Sequence, residues 1–400
     1  MRTQNSKNKD KSIKDILSSN KKKKSKIILS LPRVIIFLIV ATITLSVGFI
    51  FKPQLENLIN KSNLAVTDAS VIDENGLTVH FVDVGQGDSI AIRFPDGKTM
   101  LVDAGTSASK DSLLDYLTTK FFKNDEKIFD YVLLTHSDAD HCGGMAMICE
   151  NFIINRIYRP YAYCIKNEID ETNGDSNNKT IVTTATYYNT IKAFKSEINS
   201  FGESAEMIWT DLSTVNSTHK IEGLNYSIDF YAPTENYITK SAGTVANDYS
   251  PIMVLNYNSK RIMLTGDAST TSEENAMQNA SLPDVDLLKV GHHGSKTSSS
   301  EKFLKQIKPE IAVISVGKDN SYKHPTTEAL NRLTAVGAQI YRTDLNGTII
   351  ANVTSDETVK LNVVVGVQSN NQTVYIHVEY IMAGILILSL TLCFGIKLKV

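Results

Sequence analysis

The fold is decided by the stretch Thr135-His136-Ser137-Asp138-Ala139-Asp140-His141-Cys142-Gly143-Gly144, which places two imidazoles and two carboxylates within six residues. The apolar run 131–134 directly before it predicts a short buried strand, so the polar side chains lie on the loop that follows. Loops at strand ends are common places for catalytic ligands. Convergent imidazole and Asp donors suit zinc, manganese or iron better than calcium or magnesium.

Two later segments repeat this arrangement of an apolar run followed by polar residues. They are Leu264-Thr265-Gly266-Asp267 and Lys289-Val290-Gly291-His292-His293-Gly294-Ser295. A lone His beside a lone Asp is usually a solvated or hydrogen-bonded pair. Three strand-then-ligand loops in one chain instead predict a metal site.

In these motifs the sequence resembles the metallo-β-lactamase superfamily, and within it the extracellular hydrolase domain of ComEC-type competence proteins. The resemblance covers about residues 71 to 365, in order. The segments that carry it are 80–89 (HFVDVGQGDS), 101–105 (LVDAG), 136–144, 247–250 (NDYS), 266–267, 292–295 and 320–325 (NSYKHP). It implies an α+β fold, a four-layer αββα sandwich with a two-metal site at one edge of its sheets.

The family's ligand pattern begins His-x-His-x-Asp-His, and this chain departs from it twice. Asp138 stands where the second His is expected, and the segment 247–250 has no His where the third would fall. Both departures are themselves similar to the competence-type branch, so they argue against a β-lactamase.

The resemblance implies two divalent metal ions, zinc or manganese. The implied ligands are His136 and Asp138, helped by Asn247 or Asp248, for one ion, Asp140, His141 and His293 for the other, and Asp267 between them. Carboxylate or amide oxygen in place of imidazole favours manganese or magnesium at that ion. We expect His292 to support a ligand or touch substrate, because neighbouring residues at a strand end point in different directions.

Such a pair of cations promotes hydrolysis by lowering the pKa of a shared water. Asp140 could orient that water. His324, in a motif similar to the family's late His-Pro element, could reach a phosphate oxygen or protonate the leaving group. The alternative for His324 is a residue that caps the helix expected near Pro325.

Several further polar residues are candidates for contacts around the site. Ser295 and Lys296 could bind an anion, although the serines that follow also indicate a helix start. Lys289 and Lys318 are candidates for phosphate contacts. We expect Asp103 to support a ligating His from beneath.

Both ends of the chain carry apolar runs flanked by lysines. We expect a basic cytoplasmic tail (1–26), a transmembrane helix (27–51), a linker (52–70), the hydrolase domain (71–367), a second transmembrane helix (374–396) and a cytoplasmic end (397–400). A signal peptide is the alternative for the first run, and a β-strand or interfacial helix for the last. The lysines place both termini in the cytoplasm and the hydrolase domain outside the cell.

The composition of the chain shows no broad basic surface. The net charge of −2 includes the basic tail, so the rest of the chain is more acidic than the total suggests. The four cysteines do not form a disulfide framework, although Cys149 and Cys164 could pair. Strands are expected over 78–82, 89–94 and 99–102, helices over 112–122 and 183–201, and a polar loop over 166–180.

The sequence therefore predicts a membrane-anchored extracellular hydrolase that cleaves phosphodiester bonds. The resemblance to competence proteins implies that its substrate is a DNA strand, cleaved as single-stranded DNA during uptake. The large channel region of the competence proteins is absent here, so the expected partners are the lipid membrane, the DNA strand and a separate DNA channel protein. Two alternatives remain: a phosphodiesterase for cell-wall or choline-type phosphoesters, and a non-catalytic membrane-assembly protein.

Overall fold

The computed structural model describes residues 36–42, 65–66, 72–123, 127–159, 162–177, 179–201, 206–209, 220–234, 246–355 and 361–365. The chain divides into two compact units, Met1–Asn60 with Val374–Val400, and Lys61–Thr373. In the first unit, residues 36–42 are helical. No helix in the described ranges combines the length and apolar character that a membrane crossing requires. The predictions for 1–26 and 374–400, and most of those for 27–70, lie outside the described residues.

The second unit contains the strands and helices of the fold. The strands are β1 (Ala65–Val66), β2 (Leu77–Phe81), β3 (Ile90–Arg93), β4 (Thr99–Val102), β5 (Ile128–Phe129), β6 (Tyr131–Leu133), β7 (Ile153–Ile154), β8 (Arg156–Arg159), β9 (Tyr163–Lys166), β10 (Ile169–Asp170), β11 (Ile181–Val182), β12 (Glu206–Trp209), β13 (Ile221–Gly223), β14 (Tyr226–Ala232), β15 (Ile252–Tyr257), β16 (Lys260–Leu264), β17 (Leu287–Lys289), β18 (Ile311–Ile314), β19 (Gln339–Arg342), β20 (Ile349–Val353) and β21 (Leu361–Val365). The α-helices are α1 (Lys110–Tyr116), α2 (Ala139–Cys142), α3 (Met145–Asn151), α4 (Ala185–Phe201), α5 (Thr270–Asn279), α6 (Glu301–Ile307), α7 (Thr327–Ala335) and α8 (Thr343–Asn346), and a π-helical turn follows α1 over Leu117–Phe121.

Within the described ranges, two large sheets face each other. One has nine strands in the order β1-β21-β20-β2-β3-β4-β6-β8-β12, and the other has seven in the order β13-β14-β15-β16-β17-β18-β19. Alternate residues of each strand point to opposite faces. Val79, Phe81 and Ile92 of the first sheet therefore meet Leu255 and Val313 of the second in one buried cluster.

Helices cover the outer face of each sheet. On the first sheet, Leu101 and Val132 pack with Ile191 of α4. On the second sheet, Leu288 packs with Phe303 of α6. The predicted four-layer αββα arrangement is confirmed, and it follows from strands that are apolar on both faces.

The edge of the sandwich that carries the polar loops is set by parallel strands. Strands β4 and β6 run parallel, as do β16, β17 and β18. The carboxyl ends of these strands therefore meet at one edge, which brings the segments that begin at Asp103, Thr135, Gly266 and Gly291 together.

Most predicted elements are present, with shifts of one or two residues at their ends. The expected helix over 112–122 instead changes from α to π geometry at Leu117. The expected polar loop over 166–180 is wrong, because part of it pairs in a small sheet of β10, β9 and β11. The suggested pairing of Cys149 with Cys164 is also wrong, since both are free thiols.

One buried ion pair joins the two sheets beneath the polar loops. Lys289 Nζ, at the end of β17, lies 2.7 Å from Asp88 Oδ2, in the β2–β3 turn, and both side chains are almost fully buried. The prediction that Lys289 contacts phosphate is therefore wrong, because its ammonium group is enclosed in the protein. Removing one partner of a buried ion pair leaves the other charge buried and uncompensated, which is costly.

We expect Lys289→Met to lower the free energy of unfolding by about 3 to 5 kcal/mol, because the carboxylate of Asp88 would remain buried without its ammonium partner, with His293 Nδ1 3.6 Å away as its nearest imidazole. Denaturant titration followed by circular dichroism measures this change. The double variant Asp88→Asn with Lys289→Met should recover most of the loss. A single variant as stable as the wild type would show that the pair does not hold the sheets together.

Candidate metal centre

Three imidazoles and two carboxylates converge at the edge where the strands end. His136, His141 and Asp267 form one cluster whose ligand atoms all lie within 4.8 Å of one another, and Asp140, His141 and His293 form another. Asp267 is central, since its Oδ1 lies 3.3 Å from His141 Nε2 and its Oδ2 lies 3.7 Å from His293 Nε2. The two clusters share His141, so they form a single centre.

Asp103 fixes the orientation of His141. Its Oδ2 lies 2.7 Å from His141 Nδ1, and it also accepts hydrogen bonds from the Thr135 hydroxyl at 2.7 Å and the Thr135 backbone N–H at 2.8 Å. A carboxylate at Nδ1 holds the proton there and leaves the lone pair of Nε2 directed into the centre. Asp103 would therefore affect metal binding by orienting His141 rather than as a ligand.

The imidazoles of His293 and His136 are likewise held through Nδ1. His293 Nδ1 donates to the Ser315 carbonyl at 2.9 Å. His136 Nδ1 lies 3.0 Å from the Thr135 hydroxyl oxygen. Because that hydroxyl gives its hydrogen to Asp103, it accepts the proton of His136 Nδ1. In all three residues Nε2 is the free nitrogen.

The buried polar atoms at this centre fit a bound cation. His136 Nε2, His141 Nε2, His293 Nε2 and Asp267 Oδ1 are all buried without a hydrogen-bond partner. Groups of this kind are costly to bury unless something satisfies them. Imidazole nitrogen and carboxylate oxygen are the donors that zinc and manganese accept. The residues present therefore fit bound divalent metal.

The charges within the centre stabilise one another. Burial alone would raise the pKa of Asp267, but the charges of His293 and His141 hold it well below its usual value. Burial likewise opposes protonation of His141, yet Asp267 and Asp103 raise its pKa well above the usual value. The arrangement favours ionised carboxylates surrounded by positive charge, which cations also provide.

The backbone of the centre is strained at three residues. Asp103 (φ 59°), His292 (φ 48°) and His293 (φ 51°) all adopt left-handed conformations that non-glycine residues avoid. Such strain persists where the surrounding structure imposes it, and it concentrates at functional sites. The two adjacent left-handed histidines direct both imidazoles of the pair toward Asp267.

Glycine at position 87 permits a close contact beneath the centre. A Cβ there would lie 2.4 Å from the backbone oxygen of Asp140, and φ is +147°. The next residue, Asp88, donates its backbone N–H to the same oxygen at 3.1 Å. The β2–β3 turn thus supports the loop that carries Asp140.

The predicted ligands on the first loop differ in exposure. Asp138 Oδ2 lies 3.6 Å from His136 Nε2, and its side chain is half exposed. Asp140 Oδ2 lies 3.3 Å from His293 Nε2. Burial alone would raise the pKa of Asp140, but the hydrogen bond with His293 and the charge of His141 lower it. Asp140 therefore lies deeper in the centre than Asp138.

Asn247 and Asp248 contact the surroundings of the centre. The Asn247 amide nitrogen lies 3.1 Å from His292 Nδ1, and the Asp248 carboxylate accepts a hydrogen bond from the Ser269 hydroxyl. His292 Nε2 in turn lies 3.7 Å from Asp267 Oδ2, as near as His293 Nε2. Asn247 therefore reaches the centre through His292.

The loop 295–297, after the histidine pair, lies on the outer side of the centre. The Ser295 and Thr297 hydroxyls lie 2.9 Å apart, and Thr297 Oγ1 lies 3.4 Å from His292 Nδ1. Lys296 between them is exposed. Ser300 begins α6, where its hydroxyl accepts a hydrogen bond from the backbone N–H of Phe303.

His324 lies beside the centre. Its ring is 5.4 Å from that of His292, and burial, followed by the charge of His292, lowers its pKa to about 4. A neutral imidazole favours hydrogen bonding over delivery of a proton. The interpretation of His324 as a helix cap is wrong, because the hydroxyl of Thr326 caps α7.

Sequence reasoning missed several residues that orient the centre. Thr135 and Ser315 position two imidazoles, and the Ser250 hydroxyl accepts the backbone N–H of Asp267 at 3.0 Å. Thr135 and Ser250 lie inside or beside the metal-site motifs, so their position in the sequence could have indicated this role. Ser315 acts through a backbone carbonyl, for which the sequence holds no signal.

The fold and the candidate centre are those expected of a metallo-β-lactamase domain. Residues 82–219 match the family model described as Metallo-beta-lactamase superfamily, a range that includes the loop from His136 to Gly144.

The particular relatives are competence proteins. The chain is 27% identical over 341 residues to ComE operon protein 3 of Bacillus subtilis (strain 168), across 79% of this chain and 39% of that protein. It is 27% identical over 280 residues to Competence protein ComA of Neisseria gonorrhoeae, across 70% of this chain and 32% of that protein. The predicted resemblance to a ComEC-type metallo-β-lactamase domain is confirmed. It spans less than half the length of either relative.

Among solved structures, the metallo-beta-lactamase fold protein YhfI from Bacillus subtilis is similar with a TM-score of 0.39 and 14% identity, across 67% of this chain and 96% of that one. This likeness is too distant to bear on the chemistry.

We expect Asp103→Asn to weaken binding of manganese or zinc by about 10- to 100-fold, because His141 would lose the carboxylate that fixes its free nitrogen. Competition with a metal-binding dye measures the affinity. Asp83→Asn is the matched control, since Asp83 is an exposed carboxylate that accepts the backbone N–H of Gly85. Equal affinities in both variants would contradict the role of Asp103.

Proposed function

We propose that this chain is a metal-dependent phosphodiesterase whose substrate is a nucleic acid strand. The observation that carries the proposal is the group of buried, unpartnered Nε2 and carboxylate atoms around Asp267. Two divalent cations bound there would supply hydroxide at neutral pH and stabilise negative charge on phosphate oxygens. His136, His141, His293, Asp140 and Asp267 would hold them, with Asp138 at the solvent side.

The protein's own residues complete the site around the phosphate. Asp140, with a side chain 29% exposed, lies where it can orient a water molecule by hydrogen bonding. His292 and His324 lie side by side at the centre, with ring centroids 5.4 Å apart, and their ring nitrogens would contact phosphate oxygens. Lys296, on the loop beside them, is exposed and available to a phosphate.

A role in DNA uptake is the physiological setting that we propose. It is supported by similarity to the competence relatives, of which this chain covers 39% and 32%. The proposed partner in this setting is a DNA channel protein that receives the strand.

We also propose that the chain is anchored in the cell membrane with its hydrolase domain outside the cell. The uncharged run 34–51 and the apolar run 380–396 support it, as do the lysines beyond the outer end of each run.

We expect the full chain to cleave single-stranded DNA in the presence of manganese, and Asp267→Asn to lose at least about 100-fold in kcat/KM, since the central carboxylate between both clusters is removed. Gel analysis of an end-labelled strand measures cleavage. Asp284→Asn, which alters an exposed carboxylate paired with Lys308, should cleave as the wild type does.

Two outcomes would contradict this function. Turnover of choline-type or cell-wall phosphoesters with intact DNA would indicate the alternative phosphodiesterase. A chain that binds no metal after purification with manganese would indicate a non-catalytic assembly protein.

We expect deletion of residues 1–51 and 374–400 to move the protein from the membrane to the soluble fraction, because both apolar runs are removed. Fractionation and immunoblotting measure this. Protease added to intact cells should digest the hydrolase domain of the full chain. A domain that is protected until the cells are opened would contradict the external location.

A further inference from the structure

Tyr322 is an exposed aromatic residue beside the metal centre. Its side chain is 66% exposed, and no other aromatic residue whose burial the structure describes is classed as exposed. Aromatic rings contribute most when they are buried. An aromatic ring left in water beside the metal centre is available to a ligand that covers it.

A rigid loop holds Tyr322 in place. The Asn320 side chain donates to the carbonyls of Gly317 at 2.9 Å and His324 at 2.7 Å, and accepts the backbone N–H of His324 at 3.0 Å. Asn320 therefore links the backbone before Tyr322 to the backbone after it. The ring position is set before any ligand arrives, which lowers the entropic cost of binding.

A row of rings connects Tyr322 to the centre. Tyr322 stacks on His324 with centroids 5.8 Å apart and an interplanar angle of 25°. His324 lies 5.4 Å from His292, whose Nε2 is 3.7 Å from Asp267. The outer end of this row is the exposed ring of Tyr322.

Exposed lysines lie on the loop of Tyr322 and on the loop after the histidine pair. Lys318 and Lys323 lie on the same loop, and Lys296 lies on the neighbouring loop beside His292. None of the three makes an ion pair with an acidic side chain in the described part of the chain. Unpaired cations beside an aromatic surface are the combination with which proteins bind single-stranded nucleic acid.

We propose that Tyr322 is a stacking platform for a nucleobase of the substrate strand, next to the phosphodiester that occupies the metal centre. This specificity determinant rests on the proposed function, and it makes the substrate class a strand with unpaired bases. Small phosphoesters without a ring would gain nothing from it. Stacking tolerates any base, because every base has a π face.

The competing explanation is that Tyr322 only covers His324. A leucine at position 322 would still cover that imidazole but would offer no π face. The comparison of base-bearing with base-free strands separates the two explanations, since a cover affects both strands equally.

The test is binding of the full chain, in detergent and EDTA, to a fluorescein-labelled oligothymidylate and to a strand of equal length with abasic sugars, measured by anisotropy. EDTA removes divalent cations and prevents cleavage. We expect the base-bearing strand to bind about 5- to 100-fold more tightly than the abasic strand. Tyr322→Leu should abolish this ratio, and Tyr322→Trp should retain it.

Leu224→Ala is the matched control, since Leu224 is an equally exposed apolar side chain (69%) at the β13–β14 turn, the sheet end remote from the centre. It should leave the ratio unchanged. A ratio that survives in Tyr322→Leu, or an equal loss for both strands, would overturn the proposal.

Cleavage with manganese distinguishes this proposal from the proposed function. If the wild type binds with the expected ratio but cleaves no strand, the nuclease function fails and the platform stands. If the wild type cleaves the strand, and Tyr322→Leu has the same ratio of kcat/KM between base-bearing and abasic strands as the wild type, the platform fails and the nuclease function stands.

Discussion

The contact between Asp103 and His141 is the interaction on which the centre depends. Asp103 accepts the Nδ1 proton of His141 and both donors of Thr135, and the Thr135 hydroxyl in turn fixes His136. One buried carboxylate at the end of β4 thereby orients two imidazoles on the loop after β6. The backbone at Asp103 is left-handed, so placing that carboxylate costs conformational strain.

The two sheets contribute different halves of the site, and the packing between them decides its geometry. The first sheet brings His136, Asp140 and His141, and the second brings Asp267 and His293. The pair of Asp88 with Lys289 joins the sheets directly beneath. Because the sandwich core is close-packed, a shift of one sheet against the other would separate the ligand atoms.

Local patterns in the sequence predicted the elements that surround the site, because apolar runs before turn residues mark buried strands. Strand β6 and helix α4 lie where the pattern placed them, within two residues. Lys289 shows the limit. At the end of a strand beside the histidine pair it has the position of a phosphate ligand, but its ammonium group meets Asp88 from a turn two hundred residues earlier. Such long-range partners leave no local trace.

The sequence by itself predicted the sandwich class through its resemblance to a family, and it predicted that His and Asp residues after apolar strands lie at one site, since each of these motifs is a local property. Tertiary structure alone decided which nitrogen of each imidazole is free, that Asp88 neutralises Lys289, and that Tyr322 stays exposed beside His324. Each of these depends on the distance between groups far apart along the chain. Only the folded chain fixes those distances.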